Sequence, residues 1–253
     1  MLTQSNIIIH WTDKTFHPIA SDGKYDVSFE TINEDICNLY LERLKSIKNN
    51  GLYMMKYHET VIGYDRQGFQ SDKNATCFTD LGILNSFNHV KKYGLMGIGV
   101  TRKFILERDG RPVWYLLNSP EDLIAPTFDM FFNLYKKYHQ TIQELDEIYI
   151  YMSNAVFYFK GMGAEGTMDF DNLQEREWRI IYSKRVFDQH KIINTGRTEP
   201  EFTIPINIDD IELLIMPNRT IREKLFQDSE LRDWICSART IPIILSLEEY
   251  YSF

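Results

Sequence analysis

Residues 174–182, Gln174-Glu175-Arg176-Glu177-Trp178-Arg179-Ile180-Ile181-Tyr182, place the tightest constraint on how this chain folds. A run that ends in this much apolar character reads as a buried β-strand, and a strand alternates its side chains between two faces. Glu175, Glu177 and Arg179 are therefore expected on one face, with Trp178 and Ile180 on the other. A second run of the same kind stands near the N-terminus, Ile7-Ile8-Ile9-His10-Trp11-Thr12. An unpaired carboxylate or imidazole is costly to bury. Two separated strands that each carry such groups into core-like sequence point to a site.

At 253 residues the chain is long enough for a substantial core, and it reads as one α+β domain over residues 1–253. The net charge of -8 argues against a protein that coats nucleic acid electrostatically, though it leaves room for a local basic groove. No segment approaches the length of a membrane span, and the first residues lack the basic-then-apolar pattern of a signal peptide. Cys37, Cys77 and Cys236 are odd in number and widely spaced, which fits a reducing compartment without disulfides or a cysteine zinc site. A soluble, cytoplasmic protein is expected.

The spacing of Ile36, Leu39, Tyr40, Leu44 and Ile47 predicts a helix within 31–48, stopped by Asn49-Asn50-Gly51. Strands are expected at 52–57 and 60–64 around a turn, then a polar loop over 65–74, a short strand at 75–78 and a helix at 83–92. A hairpin is expected to join 95–102 to 112–117 around Arg108-Asp109-Gly110-Arg111. Ser119-Pro120-Glu121-Asp122 reads as a helix start, with the helix running to about Tyr138 and a further element over 142–151. Residues 161–166, three glycines in six, are the most flexible-looking stretch. Later strands are expected near 179–182, 201–206, 213–216 and 241–245, with a helix over 219–226.

One chemistry that could use these pieces is transfer from a nicotinamide dinucleotide. Cleaving the ribose–nicotinamide bond passes through an oxocarbenium-like state, which a carboxylate beside the ribose stabilises. A neutral histidine with a hydroxyl two residues on can hold a ribose or the amide, and Glu175-x-Glu177 has the spacing for an acid and an acceptor-side partner. Bland readings stand beside these. The Glu-x-Glu strand could be an edge with a solvated charged face. His10 could be a satisfied core histidine, and Asp80 could cap the helix that follows it. Asp169 and Asp171 with Glu175 and Lys184 make a poorly ordered metal or nuclease pattern, and the six histidines lack metal-ligand spacing.

The Ile-Ile-His-Trp-Thr start and the Glu-x-Glu-Trp-Arg strand resemble the ends of the ADP-ribosyltransferase fold, the DarT-type toxins in particular. More of the chain resembles the AbiGi family of abortive phage-resistance proteins, usually described as antitoxins. That likeness is carried by Cys77-Phe78-Thr79-Asp80, by His89, by Tyr93-Gly94-Leu95-Met96-Gly97-Ile98-Gly99-Val100 and by Pro112-Val113-Trp114-Tyr115. Residues 175–181 and Ile211-Glu212-Leu213-Leu214-Ile215-Met216-Pro217 complete it.

The transferase resemblance implies a split, strongly bent β-sheet with flanking helices that grips NAD as a substrate, without a metal. His10 and Thr12 would hold the nicotinamide-side ribose, with Phe78, Thr79 and Tyr93 as the wall of the NAD site. Glu177 would be the catalytic acid and Glu175 the acceptor-side residue, with 161–166 as the mobile loop. The early arginine that binds NAD phosphates in the toxins has no equivalent here; Arg66 and Arg102 are the candidate substitutes. The AbiGi resemblance implies a protein partner, a toxin or another defence-system subunit, with nucleic acid only as an acceptor and no membrane. Two functions follow. One is an enzyme that cleaves NAD and passes ADP-ribose to a macromolecule or to water, and the other is a non-catalytic antitoxin.

Overall fold

The computed structural model describes residues 6–61, 69–116, 124–162 and 171–251. In chain order the elements begin with β1 (Ile7–Thr12), α1 (Glu34–Asn50), β2 (Leu52–Val61), β3 (Phe69–Thr79), α2 (Phe87–Tyr93), β4 (Met96–Thr101) and α3 (Arg102–Leu106). There follow β5 (Arg111–Pro112), β6 (Trp114–Leu116), α4 (Ile124–Tyr138), α5 (Glu144–Val156), β7 (Phe159–Gly161), β8 (Glu177–Ile181) and α6 (Lys184–Asp188). The last are β9 (Ile193–Asn194), β10 (Phe202–Ile204), β11 (Ile211–Met216), α7 (Arg219–Gln227), α8 (Ser229–Cys236) and β12 (Ile243–Ser246).

Ten strands form one mixed sheet in the order β12-β11-β4-β1-β3-β2-β10-β9, with β8 and β5 branching from β3. The branch is what matters for function. β3 pairs with β2 along residues 69–75, with β8 along 75–79, and with β1 only where Ile9 faces Thr79. β1 and β2 therefore leave β3 in different directions, and the sheet opens into a cleft between them. β11 and β12 run parallel; the other pairings in this sheet are antiparallel.

The core fills behind this sheet. Leu44 of α1, Ile105 of α3, Ile221 of α7 and Leu231 of α8 are fully buried against β1, β4 and β11, each side chain contributing about 1.5–3 kcal/mol. Asn33 caps α1 by accepting from the Ile36 N–H at 2.9 Å. Gly51 ends the helix at φ 80°, where a Cβ would strike the Ile204 carbonyl. A second, smaller apolar cluster of Leu116, Phe128, Phe132, Val156 and Phe159 lies where α4 and α5 pack on the parallel pair β6–β7.

Several expectations change. The segments 52–57 and 60–64 belong to one strand as far as Val61, because 69–74 is not loop but the partner half of β3. The 95–117 hairpin does not form. β4 is taken by β1 and β11, and α3 intervenes before the turn. Leu39 points outward at 45% exposure, so the buried stripe of α1 is Ile36, Cys37, Tyr40, Leu41, Leu44 and Ile47. The helix over 83–92 is a short 3-10 turn followed by α2. Asp80 caps neither; it pairs with Arg102 at 3.2 Å and Arg176 at 2.7 Å. The helix start at 119–122, most of the 161–166 stretch, Arg66 and Asp169 lie outside the described residues. Among the described residues no helix is long and apolar enough to cross a membrane.

Candidate functional site

The cleft between β1 and β2 contains a cavity of about 220 Å³. β1 supplies His10 and Trp11, β2 supplies Tyr53, Met55 and Tyr57, and β3 supplies its floor from Ala75 to Thr79. His89 and Tyr93 of α2 and Glu177 of β8 close it. Most of this wall is aromatic or apolar, with a few polar atoms converging, which is the usual make-up of a small-ligand site. His10 is anchored from below: its Nδ1 lies 2.8 Å from the Cys77 carbonyl and its ring 5.6 Å from that of Phe78. Burial pushes the imidazole below its ordinary pKa, so it is neutral at pH 7.

The acids reach the site by two routes. β8 begins only at Glu177, and Arg176 turns the chain at φ 47°. Glu175 ends a 3-10 turn instead of sharing a strand face with Glu177. Glu177 and Arg179 do share a face, as the alternation requires, and both are buried. Arg179 is wholly enclosed. Its Nε donates to Glu177 Oε1 at 2.7 Å and its terminal nitrogens reach Glu177 Oε2 at 3.1 Å, the Phe157 carbonyl at 2.7 Å and the Tyr57 hydroxyl at 2.8 Å. Lys160, at the middle of β7, bridges the two acids, 2.5 Å from Glu175 Oε2 and 3.0 Å from Glu177 Oε2. Lys92 and Tyr93 take the other oxygen of Glu175 at 2.5 and 3.2 Å.

Backbone contacts lock the frame. Thr79 donates to the Glu175 carbonyl at 2.6 Å, and the Glu177 N–H donates to the Tyr115 hydroxyl at 2.9 Å. Burial alone would raise the Glu177 carboxyl, but the Arg179 charge and hydrogen bond, then Lys160, outweigh it and bring it to about 2. Glu175 is likewise lowered, because Lys160 and Lys92 overcome its burial. Burial lifts the Cys77 thiol well above its ordinary value, and the Glu177 charge beside it adds to the rise. At neutral pH the site therefore holds two carboxylates, each already matched by cations, over a neutral imidazole and a neutral thiol.

Of the residues singled out from sequence, His10, Phe78, Thr79, Tyr93 and Glu177 line the one cavity. Thr12 lines an adjoining recess of about 130 Å³ with His10 and Arg43, and its hydroxyl donates to Asp13 at 3.3 Å. Glu175 faces a separate polar pocket of about 240 Å³ that shares His89 with the main cavity. Arg102, one candidate substitute for a phosphate arginine, pairs with Asp80 and lies over Trp178, and it lines none of these three pockets. Arg43 comes from α1 to the recess beside Thr12, a placement that no motif signals.

Lys160 was legible in principle. It closes the aromatic run Phe157-Tyr158-Phe159, where a buried lysine needs an acid. Among the described residues no group of three His, Cys, Asp or Glu side chains is arranged to hold a metal ion.

The family model described as "Putative abortive phage resistance protein AbiGi, antitoxin" matches residues 53–211, more than half of the chain. The matched span holds β2, β3, Lys160 and the Glu177–Arg179 pair, and leaves out β1 with His10 and Thr12. No curated protein and no solved structure matches the chain. On the strength of that match, which covers the cleft floor and its whole charged network, the chain belongs to the AbiGi family.

Proposed function

We propose that this AbiGi protein acts in abortive phage defence as a non-catalytic antitoxin, working by binding a toxin partner. The observation that carries this reading is the state of the acids. A carboxylate that stabilises an oxocarbenium-like state must have charge to offer. Glu177 is 2.7 Å from Arg179 and 3.0 Å from Lys160, and Glu175 is held by Lys160 and Lys92. Those charges are already spent within the protein. The family's description as an antitoxin supports the same reading.

A second reading is favoured by a different observation. His10, Phe78, Thr79, Tyr93 and Glu177 come from separate parts of the chain to one cavity. That convergence in the cleft between β1 and β2 is what favours an ADP-ribosyltransferase-like site that takes NAD and passes ADP-ribose to an acceptor or to water. Nicotinamide release from NAD by the purified protein, beside Glu177→Gln, separates the two. The antitoxin reading expects no release above the blank from either protein. Release that is lost in Glu177→Gln would replace it with the transferase reading.

A further inference from the structure

Five aromatic side chains border the main cavity: Trp11, Tyr53, Tyr57, Phe78 and Tyr93. A cavity of about 150 Å³ holds one benzene ring, so about 220 Å³ holds a single ring with its substituent. The polar atoms of this wall are mostly engaged within the protein. The Tyr53 hydroxyl meets that of Ser46 at 3.2 Å, the Tyr57 hydroxyl accepts from Arg179 at 2.8 Å, and the Tyr93 hydroxyl donates to Glu175 at 3.2 Å. Thr79 is spent on the Glu175 carbonyl, and Glu177 on Arg179 and Lys160. His10 differs. Its Nδ1 is taken by the Cys77 carbonyl, while its Nε2 makes no hydrogen bond with a described residue.

We propose that this cavity is the socket for a tyrosine side chain of the toxin partner, its ring among the cleft aromatics and its hydroxyl donating to His10 Nε2. The inference rests on the antitoxin reading and names what the partner places in the cleft. Aromatic walls favour an aromatic occupant through offset and edge-on packing, and a buried tyrosine hydroxyl needs a hydrogen-bond partner. A phenylalanine would leave the imidazole acceptor unpaired. The charges point to a neutral group. Two carboxylates, Glu175 and Glu177, stand beside three cations, Lys92, Lys160 and Arg179, so an ammonium or guanidinium group meets a net charge of +1. Arg179 also lies over the Tyr57 ring at 4.4 Å, which takes that ring from a second cation. A carboxylate meets the lone pair of His10 and cations that already hold acids. Met55 is 53% exposed and lines both this cavity and the recess beside Arg43. Its flexible thioether suits a contact with the segment that carries the ring. A tyrosine in a fitted pocket is a frequent anchor of protein interfaces.

The test is ligand-observed NMR with p-cresol, the analogue of the tyrosine side chain. It is compared with toluene, with the methyl ether of p-cresol, with nicotinamide and with a blocked glycine–tyrosine–glycine peptide. The expected result is that p-cresol binds on the order of ten-fold more tightly than toluene or the ether, because neither of those has a hydrogen for Nε2. The peptide should compete with p-cresol for the same site. His10→Leu, checked for an unchanged Tm, should bind p-cresol and toluene alike. If that variant does not fold, the ligand series on wild type decides alone. Equal binding of p-cresol and toluene, exclusion of the peptide, tighter binding of nicotinamide than of p-cresol, or a preference that survives in His10→Leu would overturn the proposal. Such a result without nicotinamide release from NAD removes the socket and leaves the antitoxin reading standing. Release that depends on Glu177 removes the antitoxin reading itself.

Discussion

Replacing Arg179 with Met removes a guanidinium that is fully buried and that makes two bonds to Glu177, one to the Phe157 carbonyl and one to the Tyr57 hydroxyl. Glu177 keeps only Lys160 as a cationic partner. Removing one member of a buried ion pair costs about 3–5 kcal/mol, because the remaining charge stays buried. A second route gives the same size. The Glu177 carboxyl falls from 4.5 to about 2 on folding, and at 1.36 kcal/mol per unit this is roughly 3 kcal/mol. The pKa is depressed, so this stabilisation is complete above pH 4.5 and is lost as the pH falls through about 2.

Over 253 residues, an unfolding entropy of about 2.1 cal/mol/K per residue makes 4 kcal/mol equivalent to a drop of about 8 °C in Tm. Calorimetry and urea denaturation of wild type, Arg179→Met, Glu177→Gln and the double variant would read the effect. Glu177→Gln, which is isosteric and neutral, should recover at least about 1 kcal/mol when added to Arg179→Met. An Arg179→Met loss under about 1 kcal/mol, or a double variant that loses the sum of the singles, would refute the reasoning.

Three further outcomes follow from other parts of the molecule. Burial raises the Asp13 carboxyl to about 6 against the pull of Arg43 and Thr12, so the folded state loses stability as the pH rises from 3.8 through 6. Asp13→Asn cannot ionise and accepts the φ of 79° found there. Its unfolding free energy should match wild type near pH 4 and exceed it at pH 8 by up to about 3 kcal/mol, and parallel stability–pH curves would contradict this. Gly94 sits at φ 121° with the Thr12 carbonyl where a Cβ would go. Gly94→Ala should therefore destabilise by more than about 3 kcal/mol in denaturant titration. Thr79→Val removes the donor to the Glu175 carbonyl at nearly constant volume, and should cost about 1–2 kcal/mol with an unchanged fold by circular dichroism.

The strands that matter were legible because each is a short apolar run that carries polar side chains. β1 and β8 stand where the apolar runs placed them, with Glu177 and Arg179 on one face. The membership of Glu175 in that strand was not legible. Arg176 takes a left-handed φ that nothing in Glu-Arg-Glu-Trp foretells, since tertiary contacts to Asp80 and Thr79 hold the turn. The first half of β3 was missed for a related reason. Residues 70–74 are all polar, and they are placed in the sheet by backbone pairing with β2. The false hairpin at 95–117 came from a strong local turn signal, which was outcompeted by two long-range partners for β4. The cleft itself was foreseeable only in part. His10 and Glu177 announced themselves as polar groups in core-like sequence, whereas Arg43 and Lys92 are ordinary helix-surface cations until the fold brings them to a wall.

The anchoring of His10 settles more than its position. A carbonyl oxygen can only accept, so the bond to Cys77 requires that the proton reside on Nδ1. Nε2 is then a bare lone pair on a ring that borders both the main cavity and the recess beside Arg43. At neutral pH that nitrogen can accept a hydrogen bond but cannot donate one. The polarity of this corner is written in the peptide backbone of β3. A substitution at position 77 would leave it unchanged, and only slipping β3 against β1 would reverse it.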